Sequence, residues 1–465
     1  MVIAAFVLQL FVFVLVALRW TPSQSSGAII MLEGVPAAKQ ERSDLVDTDV
    51  NDALQTRYHS WGPEGIDLRQ ILRYINETYY DNVTWTRPIR SYQPFPLYIV
   101  LHNDTPTIWV PRNILRRIFR GAAKRLKIML PYFQQALQIQ LGRNRKRYSS
   151  LVSVLARVGS LPLLFDLSDF RECQDPTSNA SDIRYRLAGS VPLFTLCRSP
   201  RCRYAFPIPT YSSYEYMKIG YINGTNRWQE KMDEWAEVYP WSNKTSQVFW
   251  RGGCKGPRKG FVIRAQTDRR FLNVRSVGNR CGTGRNVPRL GQPTPPEYSM
   301  RYKAVFDIDG NAWSERLPRL LCYNSVVVVL SIEDDFEEYF MLDLTPGVHF
   351  IPASMENFTE VARIINRKEN EGMLQNVVKN ANAWCRERLT EERLNLDFLS
   401  VLNGYVEMLN VRDPYWVEEW DRVATSYVGP EVFKNGHGGF SDQVDLEASE
   451  GIDDLPQTLK MHPAS

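Results

Sequence analysis

The run Ser325-Val-Val-Val-Val-Leu330 is the strongest constraint on how this chain can fold. It has no polar face. A strand of this kind must be covered on both sides, as in a parallel sheet flanked by helices. Shorter apolar runs recur at 97–101, 161–167, 246–250, 302–309 and 349–353. Helix-like patterns lie between or after them, clearest from Thr359 to Arg388. This alternation predicts an α/β architecture with parallel sheets. A chain of 465 residues has room for two such domains. We expect them at 51–244 and 245–428, divided at the polar turn Pro240–Lys244. No internal repeat is visible.

The ends read differently. Residues 2–18 form one uncharged apolar run, long enough for a signal anchor and longer than most signal-peptide cores. Residues 20–50 read as a stem or linker. Residues 429–465 carry seven acids against two lysines and read as a disordered acidic tail. Arg19 after the apolar run would by charge alone leave the body cytosolic. Seven Asn-x-Ser/Thr sequons, at Asn76, Asn82, Asn103, Asn179, Asn223, Asn243 and Asn357, point instead to the lumen. Seven cysteines agree with that compartment and leave at least one thiol without an intramolecular partner. Disulfide pairing is expected among Cys173, Cys197, Cys202, Cys254 and Cys281. The expected location is therefore the ER or Golgi membrane, single-pass, with the body luminal.

A net charge of +4 does not suggest a nucleic-acid binder. Segment 111–147 is basic nonetheless, with eleven Lys plus Arg and no acid. It reads as a solvated helix face whose apolar side (Ile114, Leu115, Ile118, Phe119, Leu126) is core. Contact with an acidic membrane or attraction of an anionic substrate are the functional alternatives.

Four segments could carry chemistry. In SQVFWRGGCKGPRKGF (246–261) a strand runs into Arg251-Gly252-Gly253, then Gly256, Arg258 and Lys259. Glycines admit a phosphate to the backbone and guanidinium groups neutralise it, although an ordinary glycine-rich turn looks the same. In YKAVFDIDGNAWSERLPRLL (302–321) a strand ends in Asp307-Ile308-Asp309-Gly310 before a helix, the usual place for a ligand in an α/β sheet. Asp-x-Asp there is either a metal motif on a nucleotide sugar or a strand-ending turn. In LPLLFDLSDF (161–170), Asp166 and Asp169 follow an apolar strand, and either could be a general base or a cap. A lone His349 before the last strand is more often structural than catalytic.

Together these segments resemble glycosyltransferase family 90, which holds the capsule-associated-protein-like and Rumi-type protein O-glucosyltransferases. YKAVFDIDGNAWSERLPRLL is the most specific match, followed by SVVVVL and PGVHFIPA, with FWRGG and LPLLFDLSDF upstream in the right order. The resemblance covers roughly 150–390. It implies a GT-B fold, two Rossmann-like domains facing a cleft. It implies an inverting transfer of glucose or xylose from a UDP-sugar to a protein or glycan hydroxyl, with no metal and no other cofactor. By position, Asp169 would be the general base, with Asp166 as the fallback. Arg251, Gly252, Gly253 and Arg258 would lie near the pyrophosphate. The loop Asn311, Ala312, Trp313, Ser314 to Arg316 would wrap the UDP. Gly-Gly-Cys-Lys-Gly at 252–256 lacks the hydroxyl residues often found in that loop, which keeps open a non-catalytic sugar- or nucleotide-binding protein of the same fold.

Overall fold

The computed structural model describes residues 66–67, 71, 75, 94–102, 104–111, 120–167, 192–198, 205–214, 221–222, 225–226, 228–282, 290–310, 313–331, 336–410 and 427–428. The apolar run 2–18, the stem 20–50, the tail 429–465 and Asp169, Asn311 and Ala312 lie outside them. No helix among the described residues is long and apolar enough to cross a membrane.

Two sheets carry the fold. The first has six strands: β1 (Phe95–His102), β2 (Thr105–Pro111), β3 (Ser160–Asp166), β4 (Leu193–Thr195), β5 (Ala205–Pro207) and, from the far end of the chain, β11 (Tyr427–Val428). Their order is β11-β2-β1-β3-β4-β5. The second has five: β6 (Thr245–Gly252), β7 (Leu272–Ser276), β8 (Tyr302–Ile308), β9 (Val326–Ser331) and β10 (Ile351–Ser354), ordered β7-β6-β8-β9-β10. Every pairing in the second sheet is parallel. The first is mixed: β3-β4 and β4-β5 are parallel, whereas β11-β2, β2-β1 and β1-β3 are antiparallel. The expectation of parallel sheets therefore holds fully for one sheet and in part for the other. The cause is local. Asp104, at φ 58°, turns β1 directly into β2, and a two-residue hairpin can only reverse the chain.

The valine run behaves as its composition demands. Val326, Val327 and Val328 in β9 are all buried, Val327 facing one apolar cluster and Val326 and Val328 the other. The intervening helices are α1 (Arg120–Gln135), α2 (Ser149–Val158), α3 (Trp228–Val238), α4 (Arg258–Arg264), α5 (Leu317–Leu321), α6 (Phe358–Ile365), α7 (Glu371–Arg388) and α8 (Glu391–Glu407). The expected helix from Thr359 to Arg388 is two helices, α6 and α7, separated by the turn Lys368–Asn370. In α1, Leu126 is buried and Lys124 exposed, as a solvated face requires. Arg125 breaks that pattern and is buried.

Helix α8 returns to the first sheet. Phe398 stacks on Phe133 of α1 at 3.9 Å between centroids, and the Tyr405 hydroxyl donates to Pro162 O of β3 at 3.1 Å. Cys254–Cys281 ties the end of β6 to the segment after β7, and Cys322–Cys385 ties the end of α5 to α7. The first pair falls within the expected cysteine group. Cys322 and Cys385 were not in that group, and Cys197 is a free thiol.

Candidate active site at the strand ends

The strand order β7-β6-β8-β9-β10 reverses direction between β6 and β8, which opens a crevice at their carboxyl ends. The residues of the two glycine- and aspartate-bearing segments meet there. Asp307, at the end of β8, is 3% exposed, and Ser314 Oγ donates to its Oδ1 at 2.5 Å. Arg316 Nη2 lies 3.7 Å from the same oxygen. Burial pushes the Asp307 carboxyl up, opposed by Arg316, Ser314 and Arg258. Asp307 is thus the internal anchor of the loop that follows it, holding Ser314 and Arg316 to the strand end.

Arg258, the first residue of α4, spans the crevice. Its Nε donates to Asp309 O at 3.0 Å and its Nη2 to Ile308 O at 2.9 Å. Burial, then the neighbouring Arg316, lowers it to about 10. Two guanidinium groups this close together mark a place where an anion would be stabilised. Arg316 Nη1 donates to Arg251 O at 2.9 Å, and its Nη2 has no hydrogen-bond partner among the described residues.

Arg251 is placed differently. Its Nη1 donates to Trp250 O and Asn273 O, and its Nη2 to Asn273 Oδ1, each at 2.8 Å. The guanidinium lies 4.4 Å from the Phe249 ring and under Gly291, where a Cβ would come within 2.9 Å of Nε. Its side chain braces β6 against β7, while its carbonyl carries Arg316. Gly252 also has an internal reason: a Cβ there would approach the Trp250 indole to 2.7 Å. Gly253 meets only Asn279 Oδ1, at an ordinary 3.7 Å.

Residues from the first half of the chain reach the loop that follows β8. Asp166 ends β3 in register with Thr195 of β4. The Cys197 thiol, two residues beyond, feels Glu338, Asp309 and Asp166, hydrogen-bonds the Trp313 backbone, and is pushed well up, chiefly by burial. Arg125 donates to Leu167 O at 2.7 Å and lies 5.0 Å from the Tyr211 ring and 6.0 Å from the Trp313 ring. The Tyr211 hydroxyl donates to Glu315. Arg198 and Glu337 exchange both backbone hydrogen bonds (2.9 and 2.8 Å) and form a 2.9 Å salt bridge. Arg125, Tyr211 and Glu338 were not singled out in the sequence, and Cys197 was expected in a disulfide but is a free thiol. For Arg125 a signal existed, the basic segment 111–147, but its charges look alike until one is found buried. His349 is structural, its Nδ1 accepting from Thr345 N at 2.9 Å.

This crevice can be compared with known proteins. The model of Glycosyl transferase family 90 matches residues 125–430, more than half of the chain. The chain belongs to glycosyl transferase family 90. Among family relatives, it is 24% identical over 294 residues to O-glucosyltransferase rumi of Drosophila melanogaster, covering 60% of this chain and 67% of the fly protein. It is 24% identical over 200 residues to Protein O-glucosyltransferase 1 of Homo sapiens (41% of this chain, 50% of that one). It is 25% identical over 227 residues to Protein O-glucosyltransferase 3 of Rattus norvegicus (47% and 42%). The chain spans about half the length of the human and rat relatives. The matched range of the family model opens on Arg125 and includes every described residue of the crevice.

Proposed function

We propose that this family 90 chain is an inverting glycosyltransferase that moves glucose from UDP-glucose to a hydroxyl of a protein acceptor. The observation that carries this reading is the Asp307–Ser314–Arg316–Arg258 network at the switch point of a parallel sheet. Glucose as the sugar and protein as the acceptor are suggested by the names of the relatives, all O-glucosyltransferases. The two halves would face each other in a GT-B arrangement, the first sheet on the acceptor side.

The diphosphate would lie against Arg258 and Arg316, and both charges would strengthen their hold as UDP departs with growing negative charge. Asp307 and the Arg251 carbonyl keep Arg316 in place before the reaction, so little reorganisation is needed. The loop 311–316, with Asn311, Ala312, Trp313 and Ser314, would enclose the nucleotide, and Gly252 and Gly253 would leave its backbone side open. A base on the opposite face must take the acceptor proton. Asp169, three residues beyond the strand end at Asp166, is our assignment, and Asp166 the fallback. Charge neutralisation by two arginines requires no metal, so transfer is expected to survive EDTA. Two disulfides and the sequons support a luminal site of action, with residues 2–18 as the membrane attachment.

The test is UDP release by the full chain made in a secretory host. UDP-glucose, UDP-xylose, UDP-galactose and UDP-N-acetylglucosamine would be offered with and without EDTA, beside Asp169→Asn. Release from UDP-glucose that persists in EDTA and vanishes in the variant supports the reading. Full activity in Asp169→Asn rejects the base assignment, and absence of UDP binding rejects the nucleotide site.

A further inference from the structure

Glu338 has no role in the account above, yet it is the least comfortable group near the crevice. It is 2% exposed, and its Oε2 has no hydrogen-bond partner among the described residues. It faces like charges: Asp307 and Asp309 at the end of β8, and Glu315 of the loop beyond. A buried carboxyl without a partner costs several kcal/mol if ionised, so such a group persists neutral or is matched by something that binds. Burial first, and then the three acids, push it well above the usual carboxylate range.

Its position is fixed from both sides. Glu337 is locked to Arg198 by two backbone hydrogen bonds and a salt bridge, and the Tyr339 hydroxyl hydrogen-bonds Ser213. Both anchors belong to the first half of the chain. Glu338 is therefore held where the two halves meet, beside Cys197. Two more buried polar atoms, Thr195 Oγ1 and Trp313 Nε1, have no hydrogen-bond partner among the described residues on the segments that converge there.

The chemistry of the missing partner can be read from this set. An anion is disfavoured by the acids around Glu338, and the two arginines already offer it a better place. For a metal cation the ligand set is missing, since no group of three or more His, Cys, Asp or Glu among the described residues is arranged to hold one. A neutral polyol fits: each sugar hydroxyl both donates and accepts, and a protonated carboxyl offers one donor and one acceptor. We propose that Glu338 is a specificity-determining residue that hydrogen-bonds a hydroxyl of the transferred sugar. This rests on the UDP-sugar reading above and adds to it the group that distinguishes UDP-sugar from UDP.

The test separates the two. UDP, UDP-glucose and the series of UDP-deoxyglucoses lacking one hydroxyl would be titrated into the full chain, its Glu338→Gln variant and its Glu338→Leu variant. Glutamine keeps one donor and one acceptor; leucine keeps only the bulk. Both variants are expected to bind UDP as the wild type does. UDP-glucose is expected to bind about tenfold more weakly to Glu338→Leu and nearly normally to Glu338→Gln. One deoxy analogue should bind the wild type poorly and show no further loss in Glu338→Leu, which names the hydroxyl. Unchanged preference for UDP-glucose over UDP in Glu338→Leu overturns the proposal. So does the absence of any analogue whose loss is coupled to position 338, or equal loss of UDP and UDP-glucose in both variants, which would mark a purely structural carboxyl. Should Glu338→Leu not fold, Glu338→Ala takes its place: loss of the preference for UDP-glucose over UDP in that variant supports the proposal, and an unchanged preference overturns it. No UDP binding by the wild type overturns the nucleotide reading itself.

Discussion

At the scale of single residues, buried charge decides what each side chain can do. Arg316 is held by the Arg251 carbonyl and faces Asp307. Arg316→Ala should weaken UDP binding by roughly tenfold or more, since it removes a charge-assisted contact and leaves Asp307 less compensated; calorimetric titration with UDP measures this. Lys244 gives a different test. Its Nζ donates to Met300 O and, at 3.2 Å, to Ser325 Oγ beneath the second sheet, and burial lowers it from 10.5 to about 7. Between those two values the folded chain holds fewer protons than the unfolded one, so stability should rise with pH across this window. Lys244→Met should flatten that rise, as urea melts at pH 7 and pH 9.5 would show. Neither Lys244 nor Glu338 announces itself in the sequence, because an isolated Lys or Glu is usually solvated. Asp307 and Ser314 were legible only as members of one segment, the strand end and the loop after it; the bond between them was not.

At the scale of elements, the apolar runs were legible and the short alternating strands were not. All six runs read from the sequence coincide with strands of the structure, since continuous burial leaves a continuous apolar signature. β7, Leu-Asn-Val-Arg-Ser, escaped because half its residues face outward at the edge of its sheet. β4 and β5, three residues each, are too short for any period. The glycine pair after β6 was read as one phosphate loop, but its two members answer to different neighbours. Gly252→Ala would drive a methyl into the Trp250 indole, itself packed edge-on against Phe261 at 5.5 Å between centroids. A loss of about 1–3 kcal/mol is expected. Gly253→Ala should stay within about 0.5 kcal/mol. Chemical denaturation of the two variants side by side checks the contrast.

At the scale of the whole molecule, covalent ties and the return of the chain matter most. Peptide mapping without reduction should recover Cys254–Cys281 and Cys322–Cys385 and find Cys197, a partly buried thiol, alkylated more slowly in the folded chain than after unfolding. Replacing Cys322 and Cys385 together by Ala should cost about 2–4 kcal/mol, because their bridge closes a long loop between α5 and α7. The sequence allowed two halves in succession, but not the way the second passes back over the first. Nothing in α8 distinguishes a helix that covers its own sheet from one that covers an earlier one.

That return has a consequence for how the protein is made. Synthesis delivers β1 to β5 and α1 first, yet the ring that stacks on Phe133 and the hydroxyl that reaches Pro162 lie in α8, and the strand that borders β2 is β11. A nascent chain halted after β10 would present Phe133 and its surroundings to solvent. The earlier half must therefore wait, partly open, while the whole second sheet emerges from the ribosome, and during that interval it is a client for chaperones rather than a finished domain.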